Sequence, residues 1–127
     1  MIPVCQITTA RVDAAGFPAA GAGAAVSFLG IVRGEEDGAP IRGLLYEAYQ
    51  PMAGRQLQAV GRELTARFPA LLEARLVHRI GSIPVGEIAL LVQTAAPHRA
   101  DAFAACQFAV DRIKQLLPIW KQGEPAV

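Results

Sequence analysis

Two hydrophobic periodicities divide this chain. From Met52 to Phe68, apolar residues at Ala53, Leu57, Val60, Leu64 and Phe68 recur every three or four positions, and Pro69 closes the run. That spacing lays one apolar stripe along a helix. A second helix is predicted to begin just after His98 and Arg99 and to stop at Pro118. At 100° per residue, Ala102, Phe103, Cys106, Ala109, Val110, Ile113, Leu116 and Leu117 share one broad arc, with Asp101, Asp111, Arg112 and Gln115 opposite. Phe108 falls off the arc and marks a second contact surface. Between and before the helices, AAVSFLGIV (24–32), IRGLLYEAY (41–49), ARLVHRI (74–80) and EIALLVQTA (87–95) read as strands, with Gly30 a candidate bulge. The last two are joined by a turn around Pro84 and Gly86. AAGFPAAGAGAA (14–25) reads as a loose loop or weak helical turn, and GEEDGAP (34–40) as a polar, flexible connection of the kind that borders binding sites.

The order is therefore strand, strand, helix, strand, strand, helix. Consecutive strands without intervening helices imply an α+β fold: a mainly antiparallel sheet with two main helices packed on it. A ferredoxin-like split arrangement is the alternative. At 127 residues, the chain is expected to form a single domain, 1–127, large enough for a real core.

Composition narrows the partners. Hydrophobic residues are 53% and charged ones 18%, which places the chain among globular proteins. A net charge of +1 leaves no general nucleic-acid or membrane-binding surface, so any anion site is local. No apolar run approaches a membrane span, and MIPVCQITTARVD lacks the basic start and apolar stretch of a signal peptide. The expected compartment is the cytoplasm. Cys5 and Cys106 form neither a CxxC pair nor a Cys/His cluster, so no metal site is expected, and Cys106 reads as a small core residue. Neither GxGxxG, GxxxxGK[ST], HExxH nor GxSxG occurs, which leaves nucleotide binding, zinc hydrolysis and serine hydrolysis without support.

The candidate chemistry gathers on the last helix. Lys114 projects within roughly 20° of Phe103, at the edge of the apolar arc. A lysine there is expected to be partly desolvated, which weakens its hold on its proton and suits it to proton transfer. The plainer reading is a snorkelling lysine whose stem covers apolar surface. His98 and Arg99 lie where the free N–H groups of the helix start point outward, an arrangement that favours phosphate or carboxylate. The plainer reading of that pair is a solvated loop. Trp120 and Lys121 follow Pro118 directly. Arg33 closes the first long strand beside the acidic loop, as an anion contact or as an ion-pair partner of Glu35 or Glu36. His78 ends a strand, where a histidine is more often a satisfied structural residue than a ligand, and Glu47 is either exposed or an inward partner for an arginine.

FLGIVR (28–33), LLYEAYQPMA (44–53), VHRIGSIPVGE (77–87), APHRADAF (96–103) and the run from Asp111 through Lys114 to PIWK (118–121) occur in one order and spacing. Together they resemble the large, catalytic subunit of molybdopterin synthase, over most of the chain from Ala24 to Lys121. The resemblance implies an α/β-hammerhead fold and a sulfurtransferase. Such an enzyme converts cyclic pyranopterin monophosphate into the molybdopterin dithiolene. It also implies a small ubiquitin-like sulfur-carrier partner whose C-terminal Gly-Gly thiocarboxylate supplies the sulfur, and a homodimer of large subunits within a heterotetramer whose sites draw on both copies. By position, Lys114 looks like the essential lysine, Lys121 like the second lysine of the site, and Arg33, His98 and Arg99 like the group that holds the substrate phosphate. No metal or cofactor is implied.

The chain departs from the family pattern at several positions. Gly34, Glu35 and Glu36 stand where polar residues are common and bring negative charge towards the phosphate site, Ile31 replaces a frequent lysine, and Gln122 and Gly123 follow Lys121 in place of basic and acidic residues. The other readings are a non-catalytic binding module of the same fold, docking a ubiquitin-like tail or a small anion, and a structural homo-oligomer whose lysines are merely solvated.

Overall fold

A computed structural model describes residues 1–126 of the chain. Its elements are β1 (Val4–Thr8), β2 (Ala24–Ile31), β3 (Glu35–Glu36), β4 (Ala39–Ala48), α1 (Gln50–Arg67), β5 (Glu73–Arg79), β6 (Gly81–Pro84), β7 (Ile88–Ala96), α2 (Arg99–Leu116) and β8 (Ile119–Pro125). Two sheets result. The first has the order β1-β5-β7-β2, and the second runs β3-β4-β6 with β8 also paired to β4. All pairings are antiparallel except β1 with β5, so the architecture is α+β with one parallel pair.

Both helices cover one face of the first sheet. Leu57, Val60 and Leu64 from α1 meet Ala105, Cys106, Ala109 and Ile113 from α2 over Leu76, Leu90 and Val92 of the sheet. Removing a leucine of this kind from water contributes roughly 1.5–3 kcal/mol. β7 carries eight consecutive buried residues because the helices lie on one of its faces and Val12 packs on the other. Thr94, buried in β7, donates its hydroxyl to the Ala102 carbonyl at 2.7 Å, which ties the sheet to the first turn of α2. Arg112 reaches across to Glu63 of α1 with two hydrogen bonds of 3.0 and 3.1 Å, a half-exposed pair worth about 1 kcal/mol or less.

The four anticipated strands and both helices form within two residues of their expected bounds, and Gly30 sits at a register shift. Cys106 is buried and its thiol faces the Val92 carbonyl at 3.7 Å. Phe108 makes the second contact, tilted against Phe68 at 5.8 Å with the Arg67 guanidinium 4.7 Å above its ring.

Three expectations need correction. Residues 4–8 and 81–84 are strands, and residues 119–125 form a long strand where the sequence offered only a Pro-Trp punctuation. GEEDGAP is no loose connection. β3 and β4 pair across a two-residue turn in which Asp37 (φ 51°) and Gly38 (φ 79°) both adopt the left-handed backbone that such hairpins require. Phe103, placed on the apolar arc, is 61% exposed. Residues 14–25 hold turns and the start of β2, so of the two readings offered for them the loop is the one that forms.

Candidate functional site

One cleft of about 320 Å³ opens between the two sheets and the C-terminal end of α2. Arg33, Glu36, Tyr46, His78, Lys114, Trp120 and Lys121 supply its polar and aromatic lining, over a floor that includes Leu44, Leu90, Ile113 and Leu117. Each side chain arrives there for a local reason. Past the bulge that ends β2, Val32 is buried and its N–H donates to the Glu87 carbonyl at 3.0 Å, which leaves the neighbouring Arg33 exposed at the lip. Lys114 sits in the last turn of α2, one residue after buried Ile113, and its cation there complements the negative end of the helix. Lys121 lies directly across from Tyr46 in the β4–β8 ladder, so the two side chains share a sheet face.

The cleft therefore brings together three of the five anticipated residues: Arg33, Lys114 and Lys121. His98 and Arg99 are elsewhere. His98 caps α2 without a side-chain hydrogen bond, Arg99 follows it, and both are exposed. Arg99 and Lys114 occupy opposite ends of α2, roughly 22 Å apart along its axis. Lys114 is exposed, so the desolvation expected from its place on the helical wheel is absent within one chain.

Tyr46, His78, Glu36 and Trp120 complete the lining and were not singled out as site residues from the sequence. His78 is 8% exposed. Its Nδ1 lies 2.8 Å from the Arg79 carbonyl, which can only accept, so Nδ1 carries the proton and Nε2 is the accepting atom of the neutral ring. The Tyr46 ring meets the imidazole edge-on at 5.4 Å. Burial holds the imidazole below its ordinary value near 6.5; the hydrogen bond to Arg79 opposes this, and the Lys114 charge adds to the lowering. The Tyr46 phenol is pushed above its ordinary value by burial first and by the Glu36 carboxylate second. One signal for His78 was available: it directly follows two apolar residues, Leu76 and Val77, that are both core residues.

A pH dependence follows. A histidine held below its unfolded value binds fewer protons when folded, so its contribution to stability is present above about 6.5 and is lost as the pH falls below it. The wild-type melting temperature should drop between about pH 7.5 and about pH 5, and His78→Gln should remove part of that drop. Equal slopes in the two proteins would place the acid sensitivity elsewhere.

Among the described residues, no group of three or more His, Cys, Asp or Glu side chains is arranged to hold a metal ion, and no helix is long and apolar enough to cross a membrane. With three cations against the single carboxylate of Glu36, the cleft is a cationic pocket in a chain of net charge +1. It suits an anionic molecule with an apolar ring system.

Known proteins resemble the chain over most of its length. A family model described as MoaE protein matches residues 5–116. The molybdopterin synthase catalytic subunit of Nostoc sp. is 43% identical over 100 residues, covering 79% of this chain and 61% of that protein. Its counterpart from Staphylococcus carnosus is 44% identical over 100 residues, covering 79% and 66%. The chain thus matches under two thirds of the length of these relatives. The crystal structure of molybdopterin synthase from Staphylococcus aureus superposes with a TM-score of 0.85 at 35% identity, covering 94% of this chain and 89% of the other.

Proposed function

The chain belongs to the MoaE protein family, and from that premise we propose that it is the catalytic subunit of a molybdopterin synthase. In this reading it transfers sulfur from the C-terminal thiocarboxylate of a small ubiquitin-like subunit to cyclic pyranopterin monophosphate. The observation that carries the reading is the convergence of Arg33, Lys114 and Lys121 on one cleft with an apolar floor.

The residues fit the steps. A thiocarboxylate sulfur adds to a substrate carbon, and the oxygen that departs from that carbon takes a proton. Water then cleaves the thioester, freeing the partner's carboxylate and leaving the sulfur on the pterin. Each addition therefore needs a proton delivered and another removed. Lys114 and Lys121 are the proposed proton carriers. His78, with Nε2 as its accepting atom, is a third group able to take a proton within the cleft. Arg33 offers the fork of N–H donors that matches a phosphate. The proposed setting is the cytoplasm, where thiols such as Cys5 and Cys106 stay reduced.

His98 and Arg99 enter through a second copy. Among the described residues β2 is the edge of its sheet, with one side of its backbone ladder unpaired. Leu29 and Ile31 on β2 and Phe103 on α2 are exposed apolar residues along that edge. The start of β2 lies against the segment that leads into His98: Ala24 pairs with Ala96, and the Gly23 N–H donates to the Ala96 carbonyl. The other end of β2 leads to Arg33. If two copies pair β2 with β2 antiparallel about a twofold axis, the start of one strand meets the end of the other. The strand is 8 residues long, roughly 26 Å, which matches the span between Arg99 and Lys114. The partner copy's His98 and Arg99 then approach the phosphate side of the cleft. The proposed assembly is this homodimer with one small subunit at each end.

The test is reconstitution. Mixing the chain with a thiocarboxylated small subunit and the pterin precursor should yield molybdopterin. Stable association without product would reduce the chain to a binding module of the same fold.

A further inference from the structure

Resting on that reading, we propose that Glu36 is a specificity-determining residue of the cleft: the carboxylate that occupies Lys121 until a phosphorylated substrate displaces it. Glu36 Oε1 stands 3.5 Å from Lys121 Nζ, with the glutamate side chain 25% exposed and the lysine 48% exposed. Among the described residues that line the cleft, it is the only acid. The groups that share the cleft with Lys121 are Arg33 beyond β2, Glu36 on β3, Tyr46 on β4, His78 on β5 and Lys114 on α2. No other carboxylate is among them.

The backbone holds this carboxylate in place. The tight Asp37–Gly38 turn fixes β3 against the start of β4, with Glu36 opposite Ala39. Gly123, two residues after Lys121 on β8, lies beneath it. A Cβ at position 123 would be in ordinary van der Waals contact with Glu36 Cβ, at 3.7 Å, which shows how closely the glutamate lies against β8. Glu35, the neighbouring acid, is exposed and lies outside the cleft lining. Burial first, and the Glu36 carboxylate second, hold the Tyr46 phenol above its ordinary value.

An anion entering the cleft meets Lys121 already paired and a carboxylate that repels it. Both effects weaken binding of phosphate-bearing molecules, and both disappear when the carboxylate becomes an amide. Glu36 thus sets the threshold of affinity that an anion must exceed, and favours a substrate that also engages Arg33 and the apolar floor over free phosphate.

Two measurements test this, and one needs no turnover. Inorganic phosphate should raise the melting temperature as it saturates the cleft. Glu36→Gln should reach half of that rise at about fivefold lower phosphate, the size expected for a partly exposed charge pair. Glu35→Gln should match the wild type. In the reconstituted reaction, Glu36→Gln should lower KM for the pterin precursor by a similar factor and leave kcat within about twofold, because the lost repulsion acts alike on bound substrate and transition state. A purely structural role for Glu36 would raise KM or lower the melting temperature without ligand. Superimposable phosphate curves for Glu36→Gln and wild type, or equal shifts for Glu35→Gln and Glu36→Gln, would overturn the proposal. Failure of the wild-type reaction to make product would instead count against the synthase reading, and the phosphate curves would still judge Glu36.

Discussion

Lys114→Ala should lower molybdopterin formation by about 10²- to 10⁴-fold, the range for removing a positioned proton-transfer group. The fold should be untouched. Lys114 is exposed, it makes no hydrogen bond or ion pair among the described residues, and alanine is the strongest helix former. The melting temperature should therefore stay within the small range of an ordinary surface change. Lys114→Arg separates two roles, because guanidinium keeps the charge and does not release its proton near neutral pH. Rescue by arginine would mean that Lys114 acts as a fixed cation. Full activity in the alanine variant would remove Lys114 from the mechanism and leave Lys121 and His78 as the proton carriers in the cleft.

The second large effect is one of recovery. Lys114→Ala and Arg99→Ala should each be nearly inactive alone, yet an equal mixture of the two, allowed to exchange subunits, should regain activity. In a twofold dimer whose cleft takes Lys114 from one copy and Arg99 from the other, half of the dimers are mixed and one of the two clefts in each is intact. About a quarter of wild-type activity is then expected. If mixed dimers form by native mass spectrometry and activity stays at the level of the separate variants, the partner's Arg99 does not serve the cleft. The edge of β2 would then need another role. The measurement is decisive because α2 keeps its own Arg99 about 22 Å from its own Lys114.

The helices, the four central strands and the bulge at Gly30 were legible in the chain because each rests on local periodicity: a period of 3.6 for Leu57, Val60 and Leu64, and near-continuous burial for β7. The family pattern pointed to Arg33, Lys114 and Lys121 before their positions were known. What stayed hidden depends on pairings distant in sequence. β8 has little apolar pattern of its own, with Lys121, Gln122 and Gly123 at its centre, and becomes a strand only because β4 offers it a ladder from Ile41 to Ala48. The ion pair of Glu36 with Lys121 joins residues that no spacing rule connects, since β3 and β8 come together only because both pair with β4. For His78 the apolar neighbours Leu76 and Val77 were the only hint, because the burial and the nearness of Lys114 that hold its imidazole below the ordinary value come from packing. Short-range chemistry chooses the elements. Which charges face each other is settled by which strands pair, through contacts distant in sequence that periodicity along the chain does not encode.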